Sequence, residues 1–276
     1  MHTAIRPFHL FILLLAALFC AQPAAAQVKD SPDAPMSDRH PMAMPLGLFL
    51  TELVPASPMS TVRIIREGQV LWEAESTPAG AELSPIMENF PRPGCRSLLV
   101  SSYSGGTHCC FREALVTSCD SREIFTSLNL AHSPVAMEQG ETGWVIHTED
   151  WSLAYYMLDD KRFLPPGIAE PTTRVLRFVP QEGWRPDKPG ENPTFHHLFQ
   201  SDLEDTPPDT SDPERAARAI AAAAHSFLAS GSTVSARQTL AQLLPATWLP
   251  DLHTILGDII DSVKSYTPCE NTVFGP

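Results

Sequence analysis

Three residues with soft or ionisable side chains stand side by side at His108-Cys109-Cys110. Imidazole and thiolate are ligands that suit zinc or copper, so an ion held by His108 with Cys109 or Cys110 is the sharpest chemistry these residue types allow. His132, His147 or the pair His196-His197 would have to complete the site. The spacing argues the other way. Neighbours along a strand point to opposite faces, so Cys109 falls with Phe111 and Leu115 while Cys110 falls with His108 and Arg112. Two thiols on opposite faces do not easily grip one ion, and the chain has neither a Cys-x2-Cys nor a His-x3-His spacing. No cofactor is expected from the rest of the chain. Met36, His40, Met42 and Met44 form a second soft-ligand cluster of the kind that holds Cu(I), set in a stretch whose composition is otherwise that of solvated chain.

The same sulfurs have a covalent reading. Cys95, Cys109, Cys110, Cys119 and Cys269 follow the one cysteine of the N-terminal apolar run, and in an oxidising compartment most of the five pair. Cys95 with Cys119 would clasp the open end of a hairpin. Cys95 with Cys110 competes, a vicinal Cys109–Cys110 bridge is a third arrangement, and spacing does not choose among them. Cys269, past the last helix, would tie the helical segment back to the sheet.

Catalytic signatures are thin. The chain has no Gly-x-Ser-x-Gly elbow, no His-Glu-x-x-His helix and no phosphate-cradling glycine loop. Glu149 and Asp150 beside Trp151 have the composition of a sugar site, an acid pair next to a stacking aromatic, although a turn with a packed tryptophan has the same composition. Asp159-Asp160-Lys161 reads as a solvated hairpin tip. Trp72, Trp144, Trp151, Trp184 and Trp248 read as packing residues of sheets and their interfaces.

The compartment decides which sulfur chemistry prevails, and the start of the chain speaks to it. Met1–His9 carries Arg6 and no acid. An apolar run from Leu10 to Cys20 follows, too short to cross a bilayer, which needs roughly 20 residues. It leads to Ala24-Ala25-Ala26-Gln27, which predicts a secretory leader cut after Ala26 and a periplasmic or secreted product with no transmembrane anchor. The chain holds 32 acidic against 19 basic residues, a net charge of −13. That balance repels nucleic acid and anionic membrane surfaces.

The elements that must position these residues alternate with turn chemistry. After the leader (1–26), residues 27–45 read as a flexible lead-in, rich in Pro, Asp, Met and Ser. Residues 46–200 read as β-rich. Leu46 to Leu53 predicts a first strand, and Thr61–Ile65 with Val70–Ala74 a hairpin turning at Glu67-Gly68. Leu98–Tyr103 and His108–Thr117 predict a second hairpin about Ser104-Gly105-Gly106. Glu123–Thr126, Val135–Glu138, Trp144–Thr148, Leu153–Leu158 and Arg174–Val179 continue the series, broken at Gly140, Asp159-Asp160, Pro165-Pro166-Gly167 and Gly183. Short strands at this spacing predict an antiparallel meander, a sandwich or a propeller-like sheet. Residues 201–213 form an acidic, proline-bearing linker, and 214–276 a helical segment. Ser211 with Glu214 is a capping box and Pro213 suits a first turn, predicting a helix to Ser230 that Gly231 stops. A second helix runs from Val234 to Leu244. In a third, Leu252, Ile255, Leu256, Ile259, Ile260 and Val263 make one buried face. The whole reads as an α+β protein.

At Tyr103-Ser104-Gly105-Gly106-Thr107-His108-Cys109-Cys110-Phe111 the chain resembles a group of uncharacterised exported bacterial proteins that carry a Tyr-Ser-Gly-Gly-x-His-Cys-Cys signature after a short apolar strand. The resemblance is specific over about ten residues, fades toward Val179 and does not reach the helical segment. It implies a bacterial envelope protein and brings no activity with it. Some of that group carry an Asp/Gly-rich loop upstream. Here Asn89-Phe90-Pro91-Arg92-Pro93-Gly94 lacks the alternating aspartates that calcium needs. The expectation is an exported, disulfide-stapled protein with a binding or envelope-associated role and an unknown partner, the alternative being a copper or zinc protein built on His108.

Overall fold

Alternation of apolar and polar residues builds three antiparallel meanders in series, and the helices follow. The computed structural model describes residues 42–77, 79–105, 111–120, 122–132, 134–140, 143–154, 156–164, 168, 170–191, 195, 197–198 and 211–275. The outer sheet holds β1 (Met42–Leu46), β2 (Phe49–Val54), β3 (Ser60–Arg66) and β4 (Gln69–Ser76), side by side in that order. The β3–β4 turn is the predicted one. Glu67 and Gly68 both adopt positive φ, 50° and 82°, the pair of angles a two-residue turn needs to match strand twist.

The middle sheet holds β5 (Glu82–Leu83), β6 (Met87–Glu88), β7 (Cys95–Tyr103), β8 (Phe111–Cys119) and β9 (Arg122–Ala131). The inner sheet is β10 (Ala136–Gly140), β11 (Gly143–Asp150), β12 (Thr172–Val179) and β13 (Gly183–Pro186). Helices α1 (Asp212–Ser230), α2 (Thr233–Leu243) and α3 (Leu252–Ser265) come next, and β14 (Cys269–Phe274) then returns to the middle sheet as the neighbour of β9. The predicted α+β class is what the chain adopts, with antiparallel sheets followed by a helical segment.

Two apolar faces on the middle sheet explain the stacking. Leu98, Val100, Ala114, Val116 and Phe125 pack against Leu46, Phe49, Val62, Ile64, Trp72 and Ala74 of the outer sheet. Residues one step out of phase, Leu99, Leu115, Leu128 and Leu130, pack on Ile146, Leu176 and Trp184 of the inner sheet. The inner sheet turns its other face, with Val145 and Val175, to the helices. Each large aliphatic side chain buried at these interfaces contributes roughly 1.5–3 kcal/mol. Alanines let α1 lie in the middle of the helical layer: Ala216, Ala219, Ala223 and Ala224 are buried against neighbours that include Ala236, Leu240, Ile255 and Ile259. At its start the Glu214 carboxylate accepts from the Ser211 N–H, as the capping pattern predicts, and from the Ser211 hydroxyl as well. At its end Gly231 takes a φ of 67° and donates its N–H to the Phe227 carbonyl.

Four expectations are corrected. Leu46 to Leu53 is not one strand: Gly47, at φ 60°, and Leu48 turn the chain between β1 and β2. Leu153–Leu158 is not a strand but turns, touched by one bridge between Met157 and Phe163, and its apolar side chains fill space beside the helical core. The lead-in of 27–45 is not flexible chain throughout, since β1 begins at Met42 within it. Residues 214–276 are not wholly helical, because β14 ends them in the middle sheet. Among the described residues no helix is long and apolar enough to cross a membrane.

Candidate functional site

The β7–β8 hairpin carries most of the residues singled out by type, and its register sorts them. Cys95 faces Cys119, Ser97 faces Thr117, Leu99 faces Leu115, Ser101 faces Glu113 and Tyr103 faces Phe111. These five cross-strand pairs share the face turned to the inner sheet. The first is a disulfide with Cα atoms 4.2 Å apart, closing 24 residues of separation. Both cysteines are buried. The second pair is a hydroxyl–hydroxyl hydrogen bond of 2.9 Å, and Ser97 also donates to the Phe90 carbonyl. The last is an aromatic stack with ring centroids 4.7 Å apart.

Glu113, in the fourth pair, is the group that sequence reasoning missed. It is 1% exposed. Its carboxylate accepts from the Ser101 hydroxyl at 3.0 Å and from the Val135 N–H at 3.2 Å. Val135 lies on the connector between β9 and β10, so one side chain joins two strands of the middle sheet to the crossing into the inner sheet. Burial pushes its carboxyl up to about 7, against the two hydrogen bonds, which pull it down. The sequence held one weak signal: Glu113 is an acid inside the strand-like run His108–Thr117.

His108, Cys109 and Cys110 lie outside the described residues, as do Met36, His40 and His196. Two of the other histidines proposed for a metal site have partners of their own. His132 stacks on Trp151 with centroids 4.6 Å apart, and His147 Nε2 lies 2.9 Å from a Glu138 carboxylate oxygen. Met42 and Met44 sit on β1, Met44 partly buried against the outer core. Among the described residues no three His, Cys, Asp or Glu side chains converge.

Glu149 and Asp150 do not form an acid pair. They are consecutive in β11 and therefore project to opposite faces. Glu149 accepts the Trp151 indole N–H at 3.1 Å. Asp150 accepts from Arg174 Nη1 at 3.2 Å and from the Ser152 N–H and hydroxyl. Arg174 also donates to the Val263 carbonyl and lies over the Tyr266 ring, 4.4 Å from its centroid. The Tyr266 hydroxyl bonds Thr148 Oγ1 at 3.0 Å. Burial lowers the Arg174 pKa and pushes Tyr266 up to about 12. These contacts bolt the end of α3 to the inner sheet.

Cys269 is a free thiol, so the sulfur tie expected there is replaced by main-chain pairing of β14 with β9. Its Sγ donates to the Trp184 carbonyl at 3.1 Å, and burial pushes the thiol up to about 11, away from nucleophilic thiolate. Beside it Asn271 completes the join. Its amide donates to the Trp184 carbonyl and its oxygen accepts the Trp184 N–H. A Cβ on Gly183 would lie 2.4 Å from that Asn271 oxygen, so only glycine fits there.

Comparison of the chain with family models, with curated proteins and with solved structures finds no match.

Proposed function

We propose that the protein is exported to the periplasm of a bacterium and acts there by binding, or in maintaining the envelope, rather than by catalysis. The observation that carries this reading is the N-terminal pattern: one basic residue, a short apolar run and Ala24-Ala25-Ala26-Gln27. A buried Cys95–Cys119 bridge at the open end of the β7–β8 hairpin supports it, because such bonds persist where thiols are not kept reduced. The placement of the described polar groups supports a non-catalytic role. The two neighbouring carboxylates face apart, the Arg174–Asp150 pair serves packing, and the Cys269 thiol is held protonated.

Binding of copper or zinc by His108 with Cys109 or Cys110 is the second reading, carried by the adjacency of three soft side chains. One experiment addresses both. The protein is purified without reductant from its native envelope fraction, its N-terminus is sequenced, and its non-reduced peptides are mapped by mass together with its metal content. A chain starting at Gln27 with linked Cys95 and Cys119 peptides and no stoichiometric metal supports the first reading. Free Cys109 and Cys110 with one copper or zinc per chain moves the function to the second. An uncleaved chain in the cytosol with every thiol titratable overturns export.

A further inference from the structure

Glu113 is a buried acid with two donors and, among the described residues, no cation paired to it. Its surroundings can be named element by element. From β5 it faces Glu82, a like charge in the same cross-strand row. From β7 comes the Ser101 hydroxyl, and from β9 the apolar Leu128. The connector supplies the Val135 N–H, and its titratable residue, His132, has its ring on Trp151. Arg112, next in sequence, projects to the opposite face, its guanidinium 5.6 Å from the Trp72 ring.

We propose that Glu113 is a proton-operated latch on the connector that joins the middle sheet to the inner sheet. With the proton on, the carboxyl donates to Ser101 Oγ, whose hydroxyl can accept as well as donate, and its other oxygen keeps the Val135 N–H. No charge is buried and the connector is closed. With the proton off, both donors still serve the carboxylate, but a full negative charge sits among leucines near Glu82, a state that water entry relieves. That water enters at the connector, where Val135 is held by its hydrogen bond to the carboxylate and by packing against the core between the two sheets. The titration centred at about 7 places the change within the range an exported protein meets, yet the latch does not depend on export.

The test is amide hydrogen exchange of peptides spanning residues 130–137 in the full chain from pH 5.5 to 8.5, corrected for intrinsic exchange. Wild type is expected to lose protection there by tenfold or more between pH 5.5 and about 7, and to change little above that. Glu113→Gln, which keeps the shape and the hydrogen bonds of the neutral acid, is expected to hold high protection throughout. Protection in wild type that does not change with pH, or a change that survives Glu113→Gln, overturns the latch. Carbon-detected NMR titration of the wild-type glutamate carboxyls decides the matter should the variant not fold: a Glu113 midpoint near 7 supports the latch, and one in the ordinary carboxylate range overturns it.

Discussion

Asp150 and Glu113 are both buried, at 4% and 1% exposure, and they are stabilised by opposite means. Asp150 has a guanidinium against it, and that guanidinium is in turn capped by Tyr266 and by the Val263 carbonyl in the last turn of α3. Among the described residues Glu113 has neutral donors alone, one of them on a connector. A paired charge in a protein interior serves as a rivet: either partner alone is worse than none. An unpaired acid is instead a group whose charge depends on the solution. The inner sheet is thus riveted to the helices, while its crossing from the middle sheet is left responsive to protons.

The contrast breaks most sharply at Arg174. Arg174→Met strands Asp150 as an uncompensated buried carboxylate, and the expected loss is about 3–5 kcal/mol in urea unfolding. Restoring neutrality with Asp150→Asn in the same chain recovers a good part of it. Recovery of nothing would mean that the cluster acts through packing alone.

The next effect belongs to Glu113, and its sign is opposite to that of a salt-bridged acid. Its folded value of about 7 lies above the model-peptide value of 4.5, so between these the native state holds a proton that the unfolded state has lost. Stability from this group is complete below about 4.5 and declines as pH rises to about 7, by on the order of 3 kcal/mol. The difference between wild type and Glu113→Gln, measured by urea unfolding from pH 4 to 8, isolates that slope. A difference that is flat with pH refutes it. The smallest effect is expected at Tyr266→Phe. It removes the hydroxyl that bonds Thr148 Oγ1 and donates to the Glu149 carbonyl, and it keeps the ring under Arg174, for a loss of about 1 kcal/mol in the same assay.

Much of this architecture was written locally. The Glu67-Gly68 turn, the capping residues of α1 and the apolar face of α3 each combine residue type with position, and each signal lies within a few residues of the feature it specifies. What was illegible depended on distant partners. Gly47-Leu48 was hidden because Leu48, though exposed, reads as one more strand residue in an apolar run. Leu153, Tyr156 and Leu158 are apolar because they pack beside the helices, a demand that imitates a strand. Cys269–Phe274 carries little strand pattern, since β9 supplies its register from more than a hundred residues away. Cys95 with Cys119 was one of several pairings until the hairpin register set them opposite one another. Glu113 went unmarked because a sequence shows that an acid is present but not that water is excluded from it.

The return of β14 has a bearing on the order in which the molecule can be made. The strand pairs with β9 only after the inner sheet and helices α1 to α3 have been spun out between them. A ribosome or translocation channel delivers residues in sequence, so the middle layer waits, with one rim uncovered, until the segment at 269–274 emerges. Loop closure over so long an intervening stretch is intrinsically slow. The interval before that last strand arrives is when an unpaired β9 is available to any other strand in its vicinity.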